Sequence, residues 1–87
     1  GYDVFDKDVL KKINGLIIKT KGYDFQIGHA YFMDSSDNLI ERMNQKVIPL
    51  LLEYYMNDEE EVKKILNEAG LDIIENSWPI RISGKRD

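Results

Sequence analysis

The run Val47-Ile48-Pro49-Leu50-Leu51-Leu52 constrains this chain more than any other feature. From Ile48 to Met56 the residues are apolar almost all round (Ile48, Leu50, Leu51, Leu52, Tyr54, Tyr55 and Met56). A helix apolar on every side has to be enclosed by others, so this segment is expected to be the central, buried helix. Pro49 complicates it. A proline within a helix lacks the N–H that would bond four residues back, and its ring meets that carbonyl, here of Gln45. In the first turn of a helix it is well tolerated. The spacing therefore predicts a kink or break near 46–48 and a new helix running to about Met56.

Other helices are expected around it. Residues 6–20 carry Val9, Ile13, Leu16 and Ile17 at helical spacing. Asp6 is placed to cap that helix, and Lys19, Lys21 and Gly22 look like its end. Asn14 and Gly15, poor helix formers, interrupt its middle. A second helix is expected from Ser36 or Asp37, with Leu39, Ile40, Met43 and Val47 on one face and Glu41, Arg42 and Gln45 off it; Arg42 reads as a surface ion-pair partner. A fourth begins at Asp58, where Glu61 three residues on suggests a capping box. Val62, Ile65, Leu66 and Ala69 form its apolar face, and Gly70 stands where a left-handed cap is expected. Two stretches change period. Tyr23, Phe25 and Ile27 alternate with Asp24 and Gln26, and Trp78, Ile80 and Ile82 alternate with Pro79, Arg81 and Ser83. Alternation is a strand pattern, and Pro79 suits an edge strand or a strand start. The expected fold class is mainly α, a bundle of about four helices with a short two-stranded β element from 23–27 and 78–82. Residues 84–87 are expected to fray.

With 87 residues the chain is expected to form a single domain, 1–87, burying about 60–65% of the surface its unfolded form exposes. It has no cysteine, hence no disulfide and no thiolate metal site. No apolar run approaches the ~18 residues of a membrane span, and the start is neither basic nor apolar enough for a signal peptide. A cytoplasmic location is expected. The net charge of −4 runs against a chain whose task is to grip phosphate backbones. An opening Gly in place of Met is what an excised or processed piece of a longer protein would show.

Motifs for chemistry are sparse. The chain has no GxxxxGK[ST] loop, no GxGxxG, no HExxH and no GxSxG. Its single histidine, His29, rules out a multi-histidine metal site within one chain. Glu59-Glu60-Glu61 reads as a solvated helix start, and the pairs Tyr31-Phe32 and Tyr54-Tyr55 read as core. His29 has two readings. It follows Gly28, which allows a close backbone approach. It can donate to a phosphate or to a neighbouring subunit, or serve structurally by bonding a nearby carbonyl.

The string Asp24-Phe25-Gln26-Ile27-Gly28-His29-Ala30-Tyr31-Phe32-Met33 resembles the IGHSYFM segment of McrB-type 5-methylcytosine restriction NTPases, which are of the AAA+ class. Lys46-Val47-Ile48-Pro49-Leu50-Leu51-Leu52-Glu53-Tyr54-Tyr55 is similar to that family's KIIPLLxEYF helix, and Leu10…Ile13-Asn14 to the helix ahead of the histidine segment. The start Asn57-Asp58-Glu59 with Val62, Ile65 and Leu66 resembles the family's last helix. The likeness covers about residues 9–68. Ala30 stands where the family usually has Ser, and the tail Trp78–Ile82 has no counterpart there. The resemblance implies a C-terminal helical lid of a GTPase or ATPase motor using Mg2+, with the Walker motifs, sensor 1 and arginine finger ahead of Gly1. The partners it implies are the rest of the AAA+ module, neighbouring ring subunits and an endonuclease subunit, with methylated DNA engaged only indirectly. Translocation along that DNA would lead to its cleavage. No catalytic residue and no metal ligand is implied within these residues, but Gly28, His29 and Tyr31 fall on the segment facing the nucleotide or the adjoining subunit. The alternative is a stand-alone helical interaction or regulatory domain without catalysis.

Overall fold

In the computed structural model, residues 4–32 and 38–86 are described, with the backbone alone at 4–6 and 29–30. Helix α1 (Val4–Thr20) buries Val9, Leu10, Ile13 and Ile17 along one stripe. It starts two residues earlier than Asp6 suggested, so Asp6 lies inside the first turn. Gly22 closes it with φ of +113°, a conformation that favours glycine. Its N–H reaches the carbonyls of Ile17 and Ile18.

The expected strand at 23–27 is not formed. Tyr23–Phe25 make one 3-10 turn, and the alternation of Tyr23, Phe25 and Ile27 arises because only Ile27 enters the core while Tyr23 and Phe25 stay exposed. A one-turn helix α2 (His29–Phe32) follows, its Phe32 N–H bonded to Gly28 O at 3.1 Å. Ser36 and Asp37, expected to open the next helix, lie outside the described residues. Helix α3 (Leu39–Arg42) is capped by Asn38, whose side chain accepts from the Glu41 N–H at 2.9 Å.

No break follows at 46–48. The chain passes through a π turn, Met43–Val47, directly into α4 (Ile48–Tyr54), keeping helical backbone angles at Val47 and Ile48. The Ile48 N–H bonds to Met43 O, five residues back. A wider turn of this kind is a common way for a helix to absorb a local misfit. Here it precedes the proline, whose missing N–H and ring bulk exclude the regular bond to Gln45. Ile48 and Leu51 are fully buried and Tyr55 nearly so, while Leu50, Leu52 and Tyr54 pack half-buried against the core. Burial of this helix on most sides fits the expectation; Met56, beyond its end, is 85% exposed. Arg42 departs from its expected surface role. It is 4% exposed and lies over the Phe32 ring at 5.7 Å, an arrangement in which the ring face attracts the cation.

Helix α5 (Glu59–Glu68) starts at Asp58, whose carboxylate accepts from the Glu61 N–H at 3.2 Å. Its Val62, Ile65 and Leu66, with Ala69 just beyond, are buried. Gly70, at φ +86°, turns the chain into strand β1 (Leu71–Ile73), which pairs antiparallel with β2 (Ile82–Lys85). The two-stranded element therefore exists, but between different residues from those expected. Leu71 faces Lys85, Asp72 faces Gly84 and Ile73 faces Ile82, with one irregular step between the last two pairs. Proximity explains the choice: a hairpin from 71 to 85 closes a short loop, whereas pairing 23–27 with 78–82 costs more chain entropy. Residues 84 and 85 belong to the ladder and are not frayed, and Arg86 bonds back to Gly70 O through its N–H at 2.8 Å. Its guanidinium also reaches the Asn67 side chain and carbonyl.

Candidate functional site

The segment 22–32 holds two separate single helical turns and no strand, so something other than a backbone ladder has to hold it. That support is Asn14. Its side chain accepts from the Ile27 N–H at 2.7 Å and donates to Ile27 O at 3.0 Å. The amide thus satisfies both polar groups of a residue whose side chain is buried, as buried backbone requires. This places Ile27 in the core and delivers Gly28 to the surface. A second asparagine works in the same way. Asn44, in the π turn, accepts from the Ile82 N–H at 2.8 Å and donates to Ile82 O at 3.1 Å. Both were missed from sequence, where Asn14 read only as a poor helix former. Their signal, an Asn on a helix beside an otherwise apolar stripe, is visible only once a distant partner is known.

Gly28 is exposed, and a Cβ added to it would meet nothing within 4 Å. Its φ is not in the left-handed region. Among the described residues, neither packing nor backbone geometry demands a glycine there. The side chain of His29 lies outside the described residues; its backbone opens α2. Tyr31 is 42% exposed, and its hydroxyl donates to Lys46 O at 3.2 Å, tying α2 to the π turn. Phe32, next to it, is fully buried, so of that pair only Phe32 is core.

Around Gly28 and Tyr31 lies a group of aromatic rings. Phe25 meets Tyr54 edge-on, with centroids 5.3 Å apart and planes at 87°, a favoured geometry for ring pairs. Burial pushes the Tyr54 hydroxyl above its ordinary pKa, helped by the neighbouring Tyr31 and Glu53. Behind this group the Thr20 and Tyr55 hydroxyls share a hydrogen bond of 2.7 Å, and Lys21 stands 5.3 Å from the Tyr55 ring centre. Phe25 and Tyr31, with the 73%-exposed Tyr23, keep substantial ring surface in solvent. Among the described residues, no three His, Cys, Asp or Glu side chains converge to hold a metal ion. The arrangement leaves Tyr23, Phe25, Gly28 and Tyr31 exposed to solvent within one short stretch of chain.

A family model described as McrB, alpha-helical lid domain, matches residues 7–63. No curated protein and no solved structure matches the chain. The matched stretch contains α1 from Lys7 onward, with Asn14, the whole 22–32 segment, the π turn with Asn44, and α4. The hairpin of β1 and β2 lies beyond it.

Proposed function

This chain belongs to the McrB alpha-helical lid domain family, and from that premise we propose that it closes the nucleotide site of an AAA+ motor and takes part in assembling that motor's ring. The parent protein would use GTP or ATP with Mg2+, act with an endonuclease subunit and translocate along methylated DNA towards cleavage. The observation that supports the reading is the matched segment 22–32. It presents Gly28 to solvent with no contact among the described residues that needs a glycine, beside the half-exposed Tyr31. A glycine there permits close approach by another body, and a lid must meet both nucleotide and neighbour.

In this role the chain's own residues position and exclude; they do not react. Asn14 holds Ile27 and so sets where Gly28 sits. Tyr31 fastens α2 to the π turn, so movement of one is transmitted to the other. Lids of this type act by rigid-body closure that completes a site built largely elsewhere.

The test joins this chain to the α/β subdomain that the proposal places ahead of it. Nucleotide hydrolysis is expected from the joined protein and not from the 87 residues alone. A Gly28→Val substitution is expected to lower hydrolysis or ring formation by the joined protein without lowering its unfolding temperature. Hydrolysis by the 87 residues alone, or an upstream reading frame with no phosphate-binding loop, would overturn the proposal.

A further inference from the structure

Asn14 and Gly15 stand side by side in α1, and their order carries a chemistry that the clamp on Ile27 conceals. Where a glycine follows an asparagine, the glycine's backbone nitrogen can attack the side-chain amide carbon, because no Cβ on the second residue hinders the approach. The chain holds six asparagines, and of these Asn14 alone precedes a glycine; the others precede Leu39, Gln45, Asp58, Glu68 and Ser77. Gly15 is exposed, and a Cβ added there would meet nothing within 4 Å, so water reaches this peptide bond.

Two features of the fold hold the reaction off. Helix α1 is regular at these residues. A helical ψ of about −42° turns the Gly15 nitrogen away from the Asn14 side chain, and the helix ladder takes its N–H. The amide itself is fixed, accepting from the Ile27 N–H at 2.7 Å and donating to Ile27 O at 3.0 Å, so it is not free to rotate onto that nitrogen. Both restraints are lost when the turn opens locally, and a glycine within it makes opening easier than most residues would.

We propose that Asn14-Gly15 is a spontaneous deamidation site, silent while α1 is closed, whose product releases segment 22–32. On opening, the Gly15 nitrogen bonds to Asn14 Cγ and gives up its proton. The Cγ–Nδ2 bond breaks, and ammonia leaves with that proton. Water then adds across one C–N bond of the cyclic imide and leaves aspartate or isoaspartate at position 14. The chain has exchanged ammonia for water, and nothing has been oxidised or reduced.

Either product undoes the clamp. An aspartate still accepts from the Ile27 N–H, but its carboxylate has no hydrogen for Ile27 O. Two acceptor oxygens then face each other where a bond of 3.0 Å stood, and a part-buried carbonyl left unpaired is costly. Isoaspartate puts an extra carbon into the backbone between Ile13 and Ile17, both fully buried, and so breaks the helix ladder between them. In each case the segment carrying Gly28 and Tyr31 loses its hold on α1. The inference rests on α1 and Ile27 alone and is independent of the lid reading.

The test follows deamidation of the 87-residue chain at mildly alkaline pH, folded and in urea, by mass spectrometry after brief digestion with trypsin. Cleavage after Lys12 and Lys19 isolates residues 13–19, in which Asn14 is the one asparagine. Asn76, exposed and followed by Ser77, is the internal reference. In urea Asn14 is expected to react first of the six asparagines. In the folded chain it is expected to slow by about a hundredfold or more and to fall behind Asn76. Gly15→Ala is expected to remove its lead in urea. Asn14→Asp is expected to speed amide exchange across residues 26–32 about tenfold while the amides of α5 keep their protection. Should that variant not fold, the deamidated fraction of the aged parent chain, separated by its added charge, is read in the same way. The proposal is overturned if Asn14 leads in the folded chain as it does in urea, if it does not lead in urea, or if the product leaves exchange across 26–32 unchanged.

Discussion

Removing the Asn14 amide tests how the candidate surface is held. In Asn14→Ala the Ile27 N–H and C=O lose bonds of 2.7 and 3.0 Å. A typical intramolecular hydrogen bond contributes about 1 kcal/mol net, and an unmet buried polar group costs about 1–3 kcal/mol. The pair is part-buried, so the lower part of that range applies, giving a loss of roughly 2.5 kcal/mol for both. Alanine returns about 0.5 kcal/mol through its better helix propensity. The net destabilisation is about 2 kcal/mol, which for a domain of this size lowers Tm by about 10 °C. Urea unfolding followed by circular dichroism measures the first quantity. Hydrogen exchange at the Ile27 amide measures the second effect, a selective loss of protection in residues 26–31. A loss below 0.5 kcal/mol (by the same hydrogen-bond scale) with Ile27 protection unchanged would refute the clamp.

Three further outcomes follow from the fold. Gly15→Ala should stabilise the chain by about 1 kcal/mol, because the added methyl meets nothing, whereas Gly70→Ala should destabilise it by about 1–2 kcal/mol, since Gly70 sits at φ +86°; thermal unfolding of the two side by side decides. Asp58→Ala should lose about 1 kcal/mol with the Glu61 N–H bond, seen as a lower urea midpoint at unchanged m-value. Tyr54 has a folded pKa raised above its ordinary 10.0 by burial first, then by Tyr31 and Glu53. Its contribution is therefore fully present below pH 10.0 and is lost as pH rises through the higher folded value. Tyr54→Phe should flatten the alkaline fall in stability, and a fall of unchanged steepness would count against the environment described for that hydroxyl.

Helices were legible because their determinants are local. The stripe of Val9, Ile13 and Ile17, the Asp58 cap and the glycine at 70 each act within a turn or two of chain, and each is found in the structure. The β element was legible as a kind but not as a place. Of the alternating residues only Ile27, Ile80 and Ile82 face inward, while Tyr23, Phe25 and Trp78 are exposed, and a 3-10 turn followed by an Asn-held isoleucine buries Ile27 as well as a strand would. Pro49 announced a disturbance, but a break and a π turn relieve the same steric conflict, and only the continuous core under Met43, Val47, Ile48 and Leu51 selects the turn. Arg42 read as a surface cation because it lies off the stripe of Leu39, Ile40, Met43 and Val47. Its burial depends on Phe32, brought over it by the chain's path through α2. The resemblance singled out Gly28, His29 and Tyr31 as candidates, whereas the Asn14 support beneath that segment had no signal in the sequence.

A core this small leaves a physical problem for any body that has to move as one piece. An 87-residue chain has little apolar surface to spare, and two of its segments, around Ile27 and Ile82, join the core without a full ladder of backbone bonds. A helix side chain that presents both a donor and an acceptor solves this, because it pairs with an isolated residue as a neighbouring strand would. Asn14 does so for the segment carrying Gly28, and Asn44 for the strand that closes the hairpin. Their placement differs in one respect. Asn14 sits in a regular helix, so Ile27 is fixed relative to α1 alone, while Asn44 sits inside the π turn, so β2 is fixed to the part of the helix whose winding is wider. Tyr31 bonds to Lys46 O in the same π turn. The turn forced by Pro49 therefore joins the exposed 28–32 segment on one side and the hairpin on the other. A displacement of Tyr31 would reach β2 through the five residues of this one turn, two of which, Met43 and Val47, are themselves fully buried in the core.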